Sequence, residues 1–366
     1  MLNSEAGIPA PLPVGPKHAP KTAVSYPYEY RRLDMAELPL LNDLYNACYR
    51  SERPLAEAAW LYAQNPNGPA VIYAAFDERG RLAGMRPAIP FRLSWRGRER
   101  MAYEFADALV DPAHRNRGIF SRLVKLTCGW AEQEGHTLYS IPNENSLPVY
   151  RRSPGLTVVE GSETRAKPLS WPRYLAHRLG WPGAGPIPAP GGSAALAVIC
   201  DGDVRLRPIE RFESDFEDVH AEIQERVASF TLRRRDFLQW RYFGSPVRQY
   251  RAALVEERGQ ARGYVAMRMI SRVAHLVDVF VRPDARLARR ALRLAGEWAK
   301  AMGAVGIHFN ASQGNVFHAA AARSGYWLKK RSGSIVIDRE SARLLAPDRA
   351  LATRDLYFVM GDFDFM

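Results

Sequence analysis

The chain has 366 residues and a formal net charge of +12, with 47% hydrophobic and 25% charged residues, which excludes disorder throughout and supplies material for two cores of ordinary domain size. Lysine accounts for only seven of the 51 basic residues. The arginine excess suits an electropositive surface for an anionic partner or a coding bias, and no polybasic tail singles out nucleic acid, which is not the expected partner. Three isolated cysteines, Cys48, Cys128 and Cys200, form neither a disulfide framework nor a metal motif, so no metal is expected. There is no signal-peptide pattern and no run of about 18 apolar residues, so the expectation is a cytoplasmic protein without membrane insertion.

Residues 1–25 hold five prolines without apolar periodicity and read as a flexible tail. From residue 26 to 170 the order of elements is legible. YEYRRLD reads as a strand, MAELPLLNDLYNACYR as an amphipathic helix, and PAVIYAAFDERGRLAGMRPAIPF as two strands turning at Asp77 to Gly80. A hairpin turning near Gly97 follows in LSWRGRERMAYEFADALV, then a long helix in GIFSRLVKLTCGWAEQEG, a strand in HTLYSI and a short helix in SLPVYRRS. Residues 171–203 read as a linker, opening on an amphipathic helix in WPRYLAHRLGW and continuing through PGAGPIPAPGG. Residues 204–366 repeat the first order, with strands in VRLRPI, YRAALVEERGQARGYVAMRMI, AHLVDVFVRP and VGIHFNA and helices in SDFEDVHAEIQERV, RDFLQWRYF, ARLARRALRLAGEWAKAMG and NVFHAAAARSG. This is an α+β order around a mostly antiparallel mixed sheet flanked by helices, present twice, which an internal duplication explains.

Chemistry concentrates in LVDPAHRNRGIFSRLV, where a strand ending at Val110 runs through a loop into a helix beginning near Gly118. The first amides of a helix have no intrahelical partner and lie at the positive end of its dipole, so such a junction binds phosphate. Gly118 lets an oxygen approach the backbone, and Arg115 and Arg117 add charge.

Arg115, Asn116, Arg117, Gly118, Ile119 and Phe120 resemble the signature of the GNAT superfamily, in which Arg or Gln, two residues, Gly, one residue and Gly or Ala hold a pyrophosphate. Phe120 departs from it by replacing a small residue. Further on, NENSLPVYRRSPGL resembles the family's second signature, with Asn143, Ser146 and Tyr150 in its places and Gly155 one residue late. The resemblance implies two tandem GNAT-like domains, the second degenerate, and acetyl-CoA or another acyl-CoA as co-substrate. It also implies Tyr150 as the acid that protonates the departing thiolate, and backbone amides near Leu109 and Val110 as donors to the thioester carbonyl. Glu104, eleven residues before Arg115, matches the position of the catalytic base in GNAT enzymes that acetylate protein lysines; Asp107 is the reserve, and strand alternation puts the two on opposite faces. Each residue also has a plain reading: Tyr150 as packing, Asn143 as a helix cap, Glu104 as an ion-pair carboxylate.

In the second half VRPDARLARRAL has no glycine before its helix, and Ala320 or Ala321 stands where the tyrosine would be. His308, Asn310, Asn315 and His318 are candidates for an acceptor cleft. RRDFLQWRYFGSP looks like a segment of tandem GNAT proteins from bacterial polysaccharide and envelope pathways. The expected activity is direct acyl transfer to the amine of a small molecule or amino sugar. The alternatives are a FemX-like aminoacyl transferase fed by charged tRNA and a non-catalytic GNAT-like binding protein.

Overall fold

The computed structural model describes residues 28–181, 197–312, 316–331 and 333–362. The expected tail, the proline-rich part of the linker and Asn315 lie outside them.

The first half comprises β1 (Glu29–Arg32), α1 (Leu38–Tyr49), α2 (Leu55–Tyr62), β2 (Val71–Phe76), β3 (Leu82–Trp95), β4 (Arg98–Phe105), β5 (Leu109–Val110), α3 (Ile119–Gln133), β6 (Thr137–Ser140), α4 (Leu147–Arg152), β7 (Leu156–Glu160) and β8 (Ser162–Pro168). After α5 (Trp171–Arg178) come β9 (Ile199–Asp201), β10 (Val204–Ile209), α6 (Glu217–Gln224), β11 (Ser229–Thr231), α7 (Arg235–Phe243), β12 (Tyr250–Glu257), β13 (Gln260–Ile270), β14 (Val273–Val281) and α8 (Ala285–Ala301). The chain continues with β15 (Gly306–Ser312), α9 (Val316–Arg323), β16 (Trp327–Arg331), β17 (Ser334–Asp338), α10 (Arg339–Leu345) and β18 (Leu356–Tyr357).

Two sheets result, ordered β1-β2-β3-β4-β6-β17-β7 and β16-β8-β15-β14-β13-β12-β10-β9. Each is antiparallel along this path except for one central parallel pair, β4 with β6 and β14 with β15. A helix must cross over to make such a pair, and α3 and α8 do so. Their buried residues recur at three- and four-residue spacing, the apolar Ile119, Leu123, Val124, Trp130 and Ala131 with Thr127 in α3, and form one stripe.

The halves exchange strands. β8, from the first half, lies between β15 and β16, in register Ser162↔Ser312 to Pro168↔Gly306. β17, from the second, lies between β6 and β7, with Val336 opposite both Ser140 and Val158. Neither sheet is made of one half alone.

One face of the first sheet meets α3 and α4 through Phe105, Val124, Trp130 and Tyr150. The other meets α1, α2 and the second half. There Trp60 and Trp240 stack at 5.1 Å and each indole N–H donates to the other's carbonyl at 3.0 Å, while Phe91 meets Phe237 and Tyr139 stacks on Phe358. A polar knot lies in this interface: Arg233, 1% exposed, pairs with Asp278 and Asp362 at 3.2 and 2.9 Å, and Tyr242 and Tyr264 donate to Asp278. Buried charges of this kind are costly unless every partner is present.

Candidate active site

β4 and β6 pair from Ala102↔Thr137 to Glu104↔Tyr139. β3 keeps its partner further, through Ala88↔Phe105, and then meets β5 at Met85↔Leu109 and Gly84↔Val110. Four steps along β3 thus match five on the other strand, a one-residue bulge, and within it Asp107 has φ +40°. The Asp111 amide donates to Ala83 O at 3.0 Å. By the alternation of an antiparallel ladder, the Leu109 amide then faces β3 and the Val110 amide faces away from it, on the side where β6 has parted. On that same edge the Val110 carbonyl accepts Arg115 Nε at 3.4 Å and the Cys48 thiol at 4.0 Å.

Beyond β5, the Asp111 carboxylate caps a short 3-10 turn over Pro112–His114, and the exposed residues Arg115 to Gly118 lead into α3. Asn116 and Gly118 have φ +61° and +78°. The left-handed backbone at Gly118 favours glycine, and a Cβ there would meet nothing within 4 Å. The bond from Arg122 N to Gly118 O, 3.0 Å, opens the helical ladder. The amides of Ile119, Phe120 and Ser121 precede it, no side chain caps the helix, and its first turn holds no acid. Arg117 donates to the Tyr28 hydroxyl at 3.1 Å. Close seating of α3 on β3 depends on Gly84, where a Cβ would come within 2.9 Å of Ile119 Cγ2.

Beneath the start of α3 lies a residue that the sequence reading missed. Arg86 on β3 is 0% exposed, and its guanidinium carbon sits 3.6 Å from the Phe105 ring centroid, with Tyr150 and Phe120 at 5.2 and 5.5 Å. Nη1 donates to the Tyr150 hydroxyl at 3.0 Å, while Nε and Nη2 have no partner. No carboxylate among the described residues lies within ion-pair distance of it. Aromatic faces and the single bond to Tyr150 supply its compensation, an arrangement that suits an anion-binding group more than a structural one. Phe120 fills the space above this guanidinium, which gives the departure from a small residue a structural role. Tyr150, 2% exposed, is fixed between Phe105 and Phe120. With Arg86 occupying one lone pair of its oxygen, its own proton is directed elsewhere.

Asn143 and Ser146 stand at the entrance to α4. Asn143 Oδ1 accepts the amides of Asn145 and Ser146, both at 3.0 Å, and Ser146 Oγ accepts the Asn143 amide at 3.1 Å. These bonds make a turn that begins the helix carrying Tyr150.

Glu104, 2% exposed, faces the interface side of the sheet, opposite Phe105 and Tyr150. Its charge lies close to Tyr139, whose phenol is held well above its usual range by burial and then by Glu104. Strand alternation would set Asp107 on the opposite face from Glu104. The bulge corrects that expectation: the left-handed backbone turns the Asp107 carboxylate to Arg53, 3.1 Å away, and to the Tyr62 hydroxyl, on the same side as Glu104. Arg53 lies over the Tyr45 ring, and Tyr49 is pushed up to about 12 by burial and then by Asp107. An arginine bound to Asp107 favours its ionised form, which weakens it as a proton acceptor.

In the second half α8 occupies the place of α3 between its parallel strands, but Asp284 Oδ1 accepts the Leu287 amide at 2.7 Å. An internal carboxylate therefore occupies the helix end that is open in α3. Ala320 and Ala321 are buried. His308 lies 3.2 Å from Lys329 and edge-on to His275, His318 bridges Glu163 and Arg165, and Asn310 bonds Ser162 and Thr164. Burial, then Lys329, depresses His308 to about 3.

An open helix end after a bulged strand, on a sheet whose central parallel strands diverge, gives the first half the form of a GNAT-type domain. Residues 29–153 match the family model described as an acetyltransferase (GNAT) domain. The whole two-sheet arrangement is similar to a probable N-acyltransferase from Enterococcus faecalis V583, at 14% identity, 87% coverage of this chain, 74% of that one and a TM-score of 0.59. It is also similar to a GCN5-related N-acetyltransferase from Anabaena variabilis, at 10%, 85%, 72% and 0.56. Saccharomyces cerevisiae N-myristoyltransferase, solved with bound myristoyl-CoA, gives 14%, 88%, 84% and 0.55. At these identities the likeness is one of fold. A comparison of the sequence with curated proteins returned no match. Among the described residues no helix is long and apolar enough to cross a membrane, and no cluster of ligating side chains could hold a metal ion.

Proposed function

We propose that the chain transfers an acetyl or other short acyl group from acyl-CoA directly to the amine of a small molecule or amino sugar, with the donor site in the first half. The observation that carries this reading is the uncapped start of α3 directly above the Arg86–Tyr150 pair. The amides of residues 119–121 with Arg115 and Arg117 would receive the pyrophosphate. Ser146 and Asn143 would hold the entrance to α4, and the gap beside Val110 would take the thioester, the Val110 amide donating to its carbonyl oxygen as that oxygen gains charge. The acceptor amine attacks the thioester carbon from the interface side, giving its proton to Glu104. The C–S bond then breaks as the thiolate takes the Tyr150 proton. Base and acid on opposite faces of the sheet suit a transfer in which the amine arrives on one side and the thiol leaves on the other.

The capped α8 supports confining the donor site to the first half. The same contrast favours CoA over charged tRNA, because the open helix end offers one compact pyrophosphate site in the half that carries Tyr150.

Calorimetric titration of acetyl-CoA into the protein and into Gly118→Glu tests the reading. A carboxylate about 5 Å from a phosphate charge at an effective dielectric near 20 costs about 3 kcal/mol, so binding to the variant should weaken by about two orders of magnitude. Absence of binding to the parent protein, or equal binding to both, refutes the site.

A further inference from the structure

Eleven large apolar side chains are exposed among the described residues, and six of them gather on α5, the three residues after it and the strand beside it: Trp171 at 58%, Leu175 at 50%, Leu179 at 59%, Trp181 at 63%, Trp327 at 37% and Leu328 at 40%. Scattered exposed apolar residues need no explanation, but a cluster does. Trp171, Leu175 and Leu179 recur at four-residue spacing and therefore form one stripe on the helix. Trp171 stacks on Trp327 with centroids 5.3 Å apart, which joins the stripe to β16. The helix is held from its other side. Tyr174 is 7% exposed and lies over Gly306, where a Cβ would come within 2.7 Å of its ring. The apolar stripe thus faces outward because Tyr174 fixes the helix in that orientation.

The charged side chains of α5 and β16 have one sign. From residue 164 to 200 the chain has no Asp or Glu, while Arg173, His177 and Arg178 lie on α5. Lys329 and Lys330 follow Trp327 and the exposed Leu328 on β16. Arg178 stands close enough to Lys329 to help lower its ammonium pKa, after burial, so the cations of the two elements form one crowded set.

We propose that this face docks on an anionic lipid surface, with Trp171, Leu175, Leu179 and Trp181 entering the headgroup layer and Arg173, Arg178 and Lys330 meeting lipid phosphates. Tryptophan and leucine on one side of a short helix, with basic residues beside them, are the composition of an interfacial helix, and the lack of acids complements anionic lipid. A protein partner of mixed charge would be recognised by both signs. At eight residues α5 is far too short to span a bilayer, so the association is peripheral. It rests on none of the residues assigned to acyl transfer.

The full chain should co-sediment with vesicles of equal phosphatidylglycerol and phosphatidylcholine at low salt, and not with phosphatidylcholine alone. Its tryptophan fluorescence should be quenched by brominated lipid. Leu175→Gln with Leu179→Gln should lower partitioning by about tenfold or more, as should Arg173→Gln with Arg178→Gln, which should also flatten the salt dependence. All four positions are exposed, and a circular dichroism spectrum and melting temperature equal to the parent's will show that the fold is kept. Failure of the parent protein to bind anionic vesicles overturns the proposal, as does equal binding by both double variants. A concentration-dependent dimer that Leu175→Gln with Leu179→Gln dissolves, without vesicle binding, would assign the face to a second copy of the chain instead.

Discussion

Arg86→Met should separate stability from turnover. The guanidinium is fully buried with two unpartnered nitrogens, each carrying a desolvation cost of about 1–3 kcal/mol. Against that stand one charged hydrogen bond to Tyr150, contributing about 1.5–3 kcal/mol, and the aromatic contact with Phe105, contributing up to about 2 kcal/mol when desolvated. The two sides nearly cancel. Methionine fills much of the same volume among the same rings, so the unfolding free energy in guanidinium titration should move by less than about 2 kcal/mol. A structural keystone would lose about 3–5 kcal/mol. Acyl transfer, followed as free thiol released from acyl-CoA, should nonetheless fall by about a hundredfold or more, since Tyr150 loses the partner that orients its proton and the site loses its buried positive charge. A variant that unfolds readily, or one that turns over at the parent rate, refutes this account of Arg86.

Tyr150→Phe should lower kcat by about a hundredfold while KM changes less than about threefold, and a parallel rise in KM would mean that the phenol serves binding instead. His220 and His308 are depressed to about 3 and His275 to about 4, by burial first and neighbouring cations second. Because these folded-state values lie below the ordinary 6.5, the unfolded chain takes up protons that the native state refuses. Stability is therefore full above about pH 6.5 and is lost towards acid, by about 1 kcal/mol per histidine per pH unit. Chemical denaturation at pH 7 and 5.5 should show the drop, His220→Gln should reduce it by about a third, and a flat profile would refute it. Asp284→Ala should cost about 1 kcal/mol of stability through the lost cap and leave acetyl-CoA affinity unchanged; a fall in affinity would place the donor in the second half.

The parts of the site visible in the sequence were those written in consecutive residues. The strand, loop and helix around Gly118 announce themselves because glycine, arginines and a 3.6-residue period follow one another. β12, β13 and α8 were legible for the same reason. α2 escaped because Leu55–Tyr62 is only eight residues long and lies close to the preceding helix. β3 reads as two pieces, one ending at Phe91 and the next beginning at Leu93, yet it runs unbroken from Leu82 to Trp95. Arg86 lies in that strand and differs in no local way from the other arginines; only the fold shows that its side chain is enclosed. The facing of Asp107 turned on a bulge, which shifts alternation by one residue and has no glycine to mark it. β17 and its pairing were invisible because contact between residues so far apart leaves no short-range pattern.

That pairing sets a timetable for the newly made chain. β6 and β7 leave the ribosome with β17, the strand that belongs between them, still about 170 residues from being made, an interval of about 10–35 s at ordinary elongation rates. Throughout it the strand beside the candidate base keeps an open hydrogen-bonding edge, an invitation to pair with the wrong chain. The donor half therefore cannot mature until the chain has been made through β17, and a message interrupted before residue 334 would yield a nascent product that contains every proposed catalytic residue and still cannot close the sheet that carries them.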